Sequence, residues 1–106
     1  MGEENYLRIQ EISRLKYGWD GYKARPIPLS VINRTKALLM MLPGGARVVP
    51  TARSTVQIEY HRDNGNYFEL EVSTRAYEFY CVNGDEEIEG RVSKREIKKR
   101  VEDFLV

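Results

Sequence analysis

With 106 residues, the chain has room for one domain and one core. Its 42% hydrophobic and 31% charged residues suit a soluble globular fold, and a net charge of only +1 excludes a bulk attraction to nucleic acid or anionic membrane. The single cysteine, Cys81, excludes an internal disulfide framework and leads us to expect a reducing, cytoplasmic setting. No stretch approaches the roughly 20 apolar residues of a membrane span. The acidic start Met1-Gly2-Glu3-Glu4-Asn5 is not expected of a secretory signal.

Residues 3–17 place Tyr6, Ile9, Ile12 and Leu15 on one helical stripe, with Arg8, Glu11, Arg14 and Lys16 outside it. Gly18-Trp19-Asp20-Gly21-Tyr22 stops this helix, and Pro26 and Pro28 keep the next stretch extended. Ser30 is the expected N-cap of a second helix, in which Val31, Thr35, Leu38 and Leu42 recur at helical spacing until Pro43-Gly44-Gly45 ends it. Arg47-Val48-Val49 reads as a short strand confined to an edge by Pro50.

From residue 55 to residue 92 the period changes to two. Thr55-Val56-Gln57-Ile58-Glu59-Tyr60, Phe68-Glu69-Leu70-Glu71-Val72, Tyr77-Glu78-Phe79-Tyr80-Cys81 and Glu87-Ile88-Glu89-Gly90 all alternate, defining one dry face and one acidic face. Ser93-Lys94-Arg95-Glu96 is a capping box, Val92 is placed to staple onto Ile97, and Ile97, Val101, Phe104 and Leu105 form the buried stripe of a last helix. The expected fold is a single α+β domain over residues 1–106. It has two N-terminal helices, an antiparallel meander of four to five strands and a C-terminal helix, with all helices on the apolar sheet face.

Turn chemistry then sets the register. A two-residue Asn64-Gly65 loop would pair Tyr60 with Glu69 and mix the faces. A three-residue Asp63-Asn64-Gly65 loop with Gly65 left-handed pairs Tyr60 with Phe68 and Ile58 with Leu70, and burial of one face favours it. A Thr74-Arg75 turn pairs Leu70 with Phe79. An Asn83-Gly84 turn pairs Phe79 with Ile88 and Tyr77 with Gly90. On the outer face this gives two rows: Glu59, Glu69, Tyr80, Glu87 and Gln57, Glu71, Glu78, Glu89. No lysine or arginine is expected inside the rows, with Arg62, Arg75 and Arg91 only at the rim. Opposed like charges cost roughly a few tenths of a kcal/mol. Such a face either keeps the sheet solvated and blocks edge aggregation, or is complementary to a basic surface.

Other constellations point less clearly to chemistry. His61, the only histidine, shares the acidic face with Glu59 and Glu69. Together they are the candidates for a divalent ion and a weak metal-dependent hydrolase, but a flat sheet offers no cleft. Cys81 falls on the buried face as a small core residue. Neither a zinc-ligand spacing, a phosphate-cradling glycine loop nor a nucleophile elbow occurs, so no cofactor, metal or catalytic residue is expected. Lys94, Arg95, Lys98, Lys99 and Arg100 give the last helix a basic outer face, an ordinary solvated surface or a phosphate contact. Trp19 and Tyr22 either plug the junction of the first two helices, with Asp20 bonding backbone amides, or form an exposed aromatic anchor.

Gly18-Trp19-Asp20-Gly21-Tyr22, Ala24, Pro26, Ile27, Leu42-Pro43, Pro50-Thr51 and Val56-Gln57-Ile58-Glu59-Tyr60 are seventeen residues spread over positions 18–60, under half of the chain. They resemble a loose group of small bacterial and mobile-element proteins that share a Gly-Trp-Asp-Gly loop and a Pro-Thr…Val-Gln-x-Glu-aromatic strand. The group carries no activity to transfer, and the chain departs from it at Ala52-Arg53-Ser54-Thr55, where an acidic or glycine turn is usual. The expected function is a non-enzymatic binding module in which Gln57, Glu59, Glu69, Glu71, Glu78, Tyr80, Glu87 and Glu89, with Trp19 and Tyr22, meet a partner protein. That partner would have a basic surface, as a nucleic-acid enzyme has. A small inhibitor, counter-defence or antitoxin-like protein fits this description. Direct binding of nucleic acid through the last helix is the opposing expectation.

Overall fold

The protein is described by a computed structural model covering residues 1–106. Its elements run α1 (Glu3–Ser13), α2 (Leu29–Met41), β1 (Arg47–Pro50), β2 (Val56–His61), β3 (Tyr67–Val72), β4 (Tyr77–Asn83), β5 (Glu86–Val92) and α3 (Lys94–Leu105). The five strands form one antiparallel sheet in the order β1-β2-β3-β4-β5, each pairing with its neighbour in sequence. One face of this meander carries all three helices. Ile9 and Ile12 of α1, Val31, Ile32, Leu38 and Leu39 of α2, and Ile97, Val101 and Phe104 of α3 share a single core with Val48, Val56, Ile58, Tyr60, Phe68, Leu70, Val72 and Phe79. No helix is long and apolar enough to cross a membrane.

Two helix boundaries differ from the sequence reading. α1 stops at Ser13 because the Ser13 hydroxyl donates to the Gln10 carbonyl at 2.7 Å and the next amides bond three residues back, tightening the chain out of the helix. α2 begins one residue before Ser30, which therefore is not its N-cap. Pro28 holds that position with φ −58°, and its carbonyl accepts the amides of Val31 and Ile32. The capping box of α3 is present as read, with the Ser93 hydroxyl 2.7 Å from the Glu96 carboxylate.

Three arginines fasten the helical layer to the sheet through main-chain carbonyls. Arg8 of α1 donates to Val48 at 3.0 Å, and Arg34 of α2 to Ser73 at 2.6 Å while stacking on Tyr77. Arg62, at the β2–β3 loop, reaches Phe104 at 2.8 Å and satisfies a carbonyl at the end of α3. Arg62 is thus engaged with the helix and is not a rim charge of the acidic face.

Burial decides the first hairpin. Tyr60 pairs with Phe68 and Ile58 with Leu70 across a three-residue loop in which Gly65 has φ +83°. Leu70 pairs with Phe79 across Thr74-Arg75. The last hairpin is offset by two residues from expectation: Phe79 faces Gly90, Cys81 faces Ile88 and Tyr77 faces Val92. Its loop is Gly84-Asp85, with only Gly84 left-handed at φ +65°, as a glycine-first type II′ turn requires. Asn83 instead stays in β4, where its side chain accepts from Asn66 at 2.9 Å. The Asn66 carbonyl oxygen accepts the Gly84 amide at the same distance.

Candidate functional site

An offset of two leaves every side chain on its face but changes its neighbours. The open face consists of three cross-strand rows: Arg47, Glu59, Glu69, Tyr80, Glu89; Val49, Gln57, Glu71, Glu78, Arg91; and His61, Tyr67, Val82, Glu87. Gln57, Glu59, Glu69, Glu71, Glu78, Tyr80, Glu87 and Glu89 therefore do share one surface. The expected opposition of Tyr80 with Glu87 and of Glu78 with Glu89 is replaced by Tyr80 with Glu89 and Glu78 with Arg91. Arg47 likewise enters the first row beside Glu59. The face is thus less one-signed than the alternation implied, although Glu59 still opposes Glu69 and Glu71 still opposes Glu78.

The carboxylates differ in how they are held. Arg53, in the β1–β2 loop, donates to Glu71 at 2.8 Å through Nη2. This hydrogen bond holds the Glu71 carboxyl below its usual pKa and raises that of the guanidinium. Glu69 accepts the Tyr67 hydroxyl at 2.6 Å and the Gln57 amide at 3.3 Å. Burial, followed by the Glu69 bond and charge, strongly raises the Tyr67 phenol. Glu59, its side chain only 13% exposed, lies 3.2 Å from His61 Nε2, and the His61 ring packs on Tyr67 at 4.8 Å.

On the β4–β5 side, Glu78, Glu87 and Glu89 are exposed. Glu78 and Glu89 make no side-chain hydrogen bond or ion pair. Glu87 is near the Tyr80 phenol, whose pKa is raised by burial and then by Glu87, Glu89 and Glu69. Arg53 is the residue of this face that the sequence reading missed. Its signal was the departure at Ala52-Arg53-Ser54-Thr55, a turn that opens at the same sheet end as Glu71.

Trp19 and Tyr22 do not join this face. Trp19 packs partly against the core and its indole N–H donates to the Arg25 carbonyl at 2.9 Å, while Tyr22 is 73% exposed and cannot be plugging a junction. Asp20 does bond the loop amides, accepting from Tyr22 at 2.9 Å and Ala24 at 3.2 Å. With Glu69 turned to Tyr67 and Gln57, the set Glu59, His61 and Glu69 does not converge as a metal-holding group. Cys81 is half-buried on the helical side, and burial raises its thiol pKa. On α3, Lys99 is paired with Asp103 at 3.4 Å and Arg100 lies over the Phe79 ring at 4.2 Å.

Comparison with known protein families, with characterised proteins and with solved structures finds no match to this chain.

Proposed function

We propose that the protein is a non-enzymatic binding module whose acidic sheet face docks on a basic protein surface, such as one that normally contacts nucleic acid. A small inhibitor, counter-defence or antitoxin-like protein acts in this way. The observation that carries this reading is the uneven matching of the carboxylates. Glu59, Glu69 and Glu71 are tied to neighbours, whereas Glu78, Glu87 and Glu89 stand exposed beside them, with only the Tyr80 phenol close to Glu87. Exposed charges on a flat, low-relief surface accelerate encounter with an opposite field and fix orientation on contact.

Affinity capture from a lysate of the native host tests the proposal. Wild type should retain a basic protein in low salt, and Glu78→Gln with Glu87→Gln and Glu89→Gln should lose most of it. Retention by the triple variant, with loss on Arg95→Glu and Lys98→Glu together with salt-dependent DNA or RNA binding, would shift the function to α3.

A further inference from the structure

The two edges of the sheet are finished differently. At β1, Pro50 lacks a donor, Val48 is buried and Arg8 takes the Val48 carbonyl. At β5 no element covers the strand, and Glu86 through Arg91 are all exposed. The Gly84-Asp85 turn makes Asn83 and Glu86 a hydrogen-bonded pair. Alternation then turns the main-chain N–H and C=O groups of Glu87, Glu89 and Arg91 away from β4. A row of free donors and acceptors therefore runs along this edge.

From these features we infer that β5 is a strand-addition site for an extended basic segment, one that alternates cationic and aliphatic side chains. This rests on the docking proposal above and specifies its mode. Side chains of the added strand on the open face would lie beside Glu87 and Glu89. Those on the helical face would lie beside Ile88, which is 47% exposed, and a recess of about 150 Å³ in which Phe68, Phe79, Cys81 and Phe104 are joined by Asn83, Arg100 and Asp103. Gly90 adds no side chain there; a Cβ at that position would lie 3.7 Å from the Phe79 ring. Charge selects the occupant. Asp85, Glu86, Glu87 and Glu89 outnumber Arg91, so a second copy of this strand meets net like charge, while a basic strand meets complementary charge. Main-chain bonds supply affinity in this mode and alternate side chains supply specificity.

The probe is a synthetic peptide of alternating arginine and valine matched to β5 in length, compared with the same peptide N-methylated at alternate residues. Methylation keeps charge and side chains but removes main-chain donors. The unmodified peptide should bind at least about tenfold more tightly and slow amide exchange at Glu87, Glu89 and Arg91. Glu89→Pro removes an outward donor without touching the β4 ladder, and should bind at least about tenfold more weakly than Glu89→Gln, which removes only charge. Equal binding of the two peptides and of the two variants would overturn strand addition while leaving acidic-face docking in place. Absence of peptide binding, in a protein whose host partner still depends on Glu78, Glu87 and Glu89, would do the same. Concentration-dependent dimerisation abolished by Glu89→Pro would overturn the basic occupant in favour of a second copy.

Discussion

On β2 and β3 the carboxylates of Glu59, Glu69 and Glu71 are half-buried and held by His61, Tyr67, Gln57 and Arg53, whereas on β4 and β5 those of Glu78, Glu87 and Glu89 are in water. The same residue type at the same period therefore serves two ends within one face. What separates the halves is the set of neighbours delivered by loops: Arg53 comes from the β1–β2 turn, and the offset of the last hairpin leaves Glu89 facing Tyr80. A count of charges on a face says little until each has been assigned its neighbour.

The largest expected effect lies beneath the face. Leu70 is fully buried behind β3, and Leu70→Ala should cost about 2–5 kcal/mol through the cavity it leaves. Because one core underlies both halves, hydrogen exchange should show them losing protection together. Loss confined to β2 and β3 would divide the sheet into separate units.

Next comes the tied half. Glu69→Gln with Glu71→Gln should destabilise by about 1–2 kcal/mol in denaturant unfolding, since both carboxylates accept specific bonds and much of the Arg53 pair is exposed. Acid titration sharpens this. The Glu71 pKa is lowered in the fold, so its contribution is complete above the usual glutamate pKa of about 4.3 and is lost as pH falls through the lowered value. Glu96, lowered by its Ser93 bonds, titrates in the same direction, so the informative comparison is wild type against Glu71→Gln. The single variant should show a shallower loss of stability in that acidic window.

The smallest effect is expected at the bare half. Glu78→Gln, Glu87→Gln and Glu89→Gln together should change stability by no more than about ±0.5 kcal/mol, as exposed substitutions outside the core do. A thermal melt showing a loss as large as that of the tied pair would erase the distinction between the halves.

Much of the architecture was legible because it follows from burial. Alternation in residues 55–92 specifies the two faces, and the need to keep Tyr60, Phe68, Ile58 and Leu70 on one side selects the first loop. The last hairpin was not legible, because both registers preserve its faces and both Asn83-Gly84 and Gly84-Asp85 suit a two-residue loop; in the fold the Gly84 amide donates to Asn66, distant in sequence. The site was partly legible for the same reason. Face membership follows from parity, but Arg47 opposite Glu59, Arg91 opposite Glu78 and Arg53 on Glu71 follow from pairings and a loop path that parity does not contain. Tyr22 stayed between two readings because aromatic content alone cannot tell a plug from an exposed ring, and its 73% exposure excludes the plug.

The arginine fastenings have a consequence for how the chain assembles. Each strand meets its neighbour across a short loop, so sheet growth proceeds by local closures with little entropy loss, on the microsecond scale of hairpins. The Arg8–Val48, Arg34–Ser73 and Arg62–Phe104 contacts instead span 40, 39 and 42 residues. Searching over those distances is the slower task. The meander is therefore expected to form first and the helices to dock onto it, with the arginines locking each helix after its apolar stripe has found the sheet.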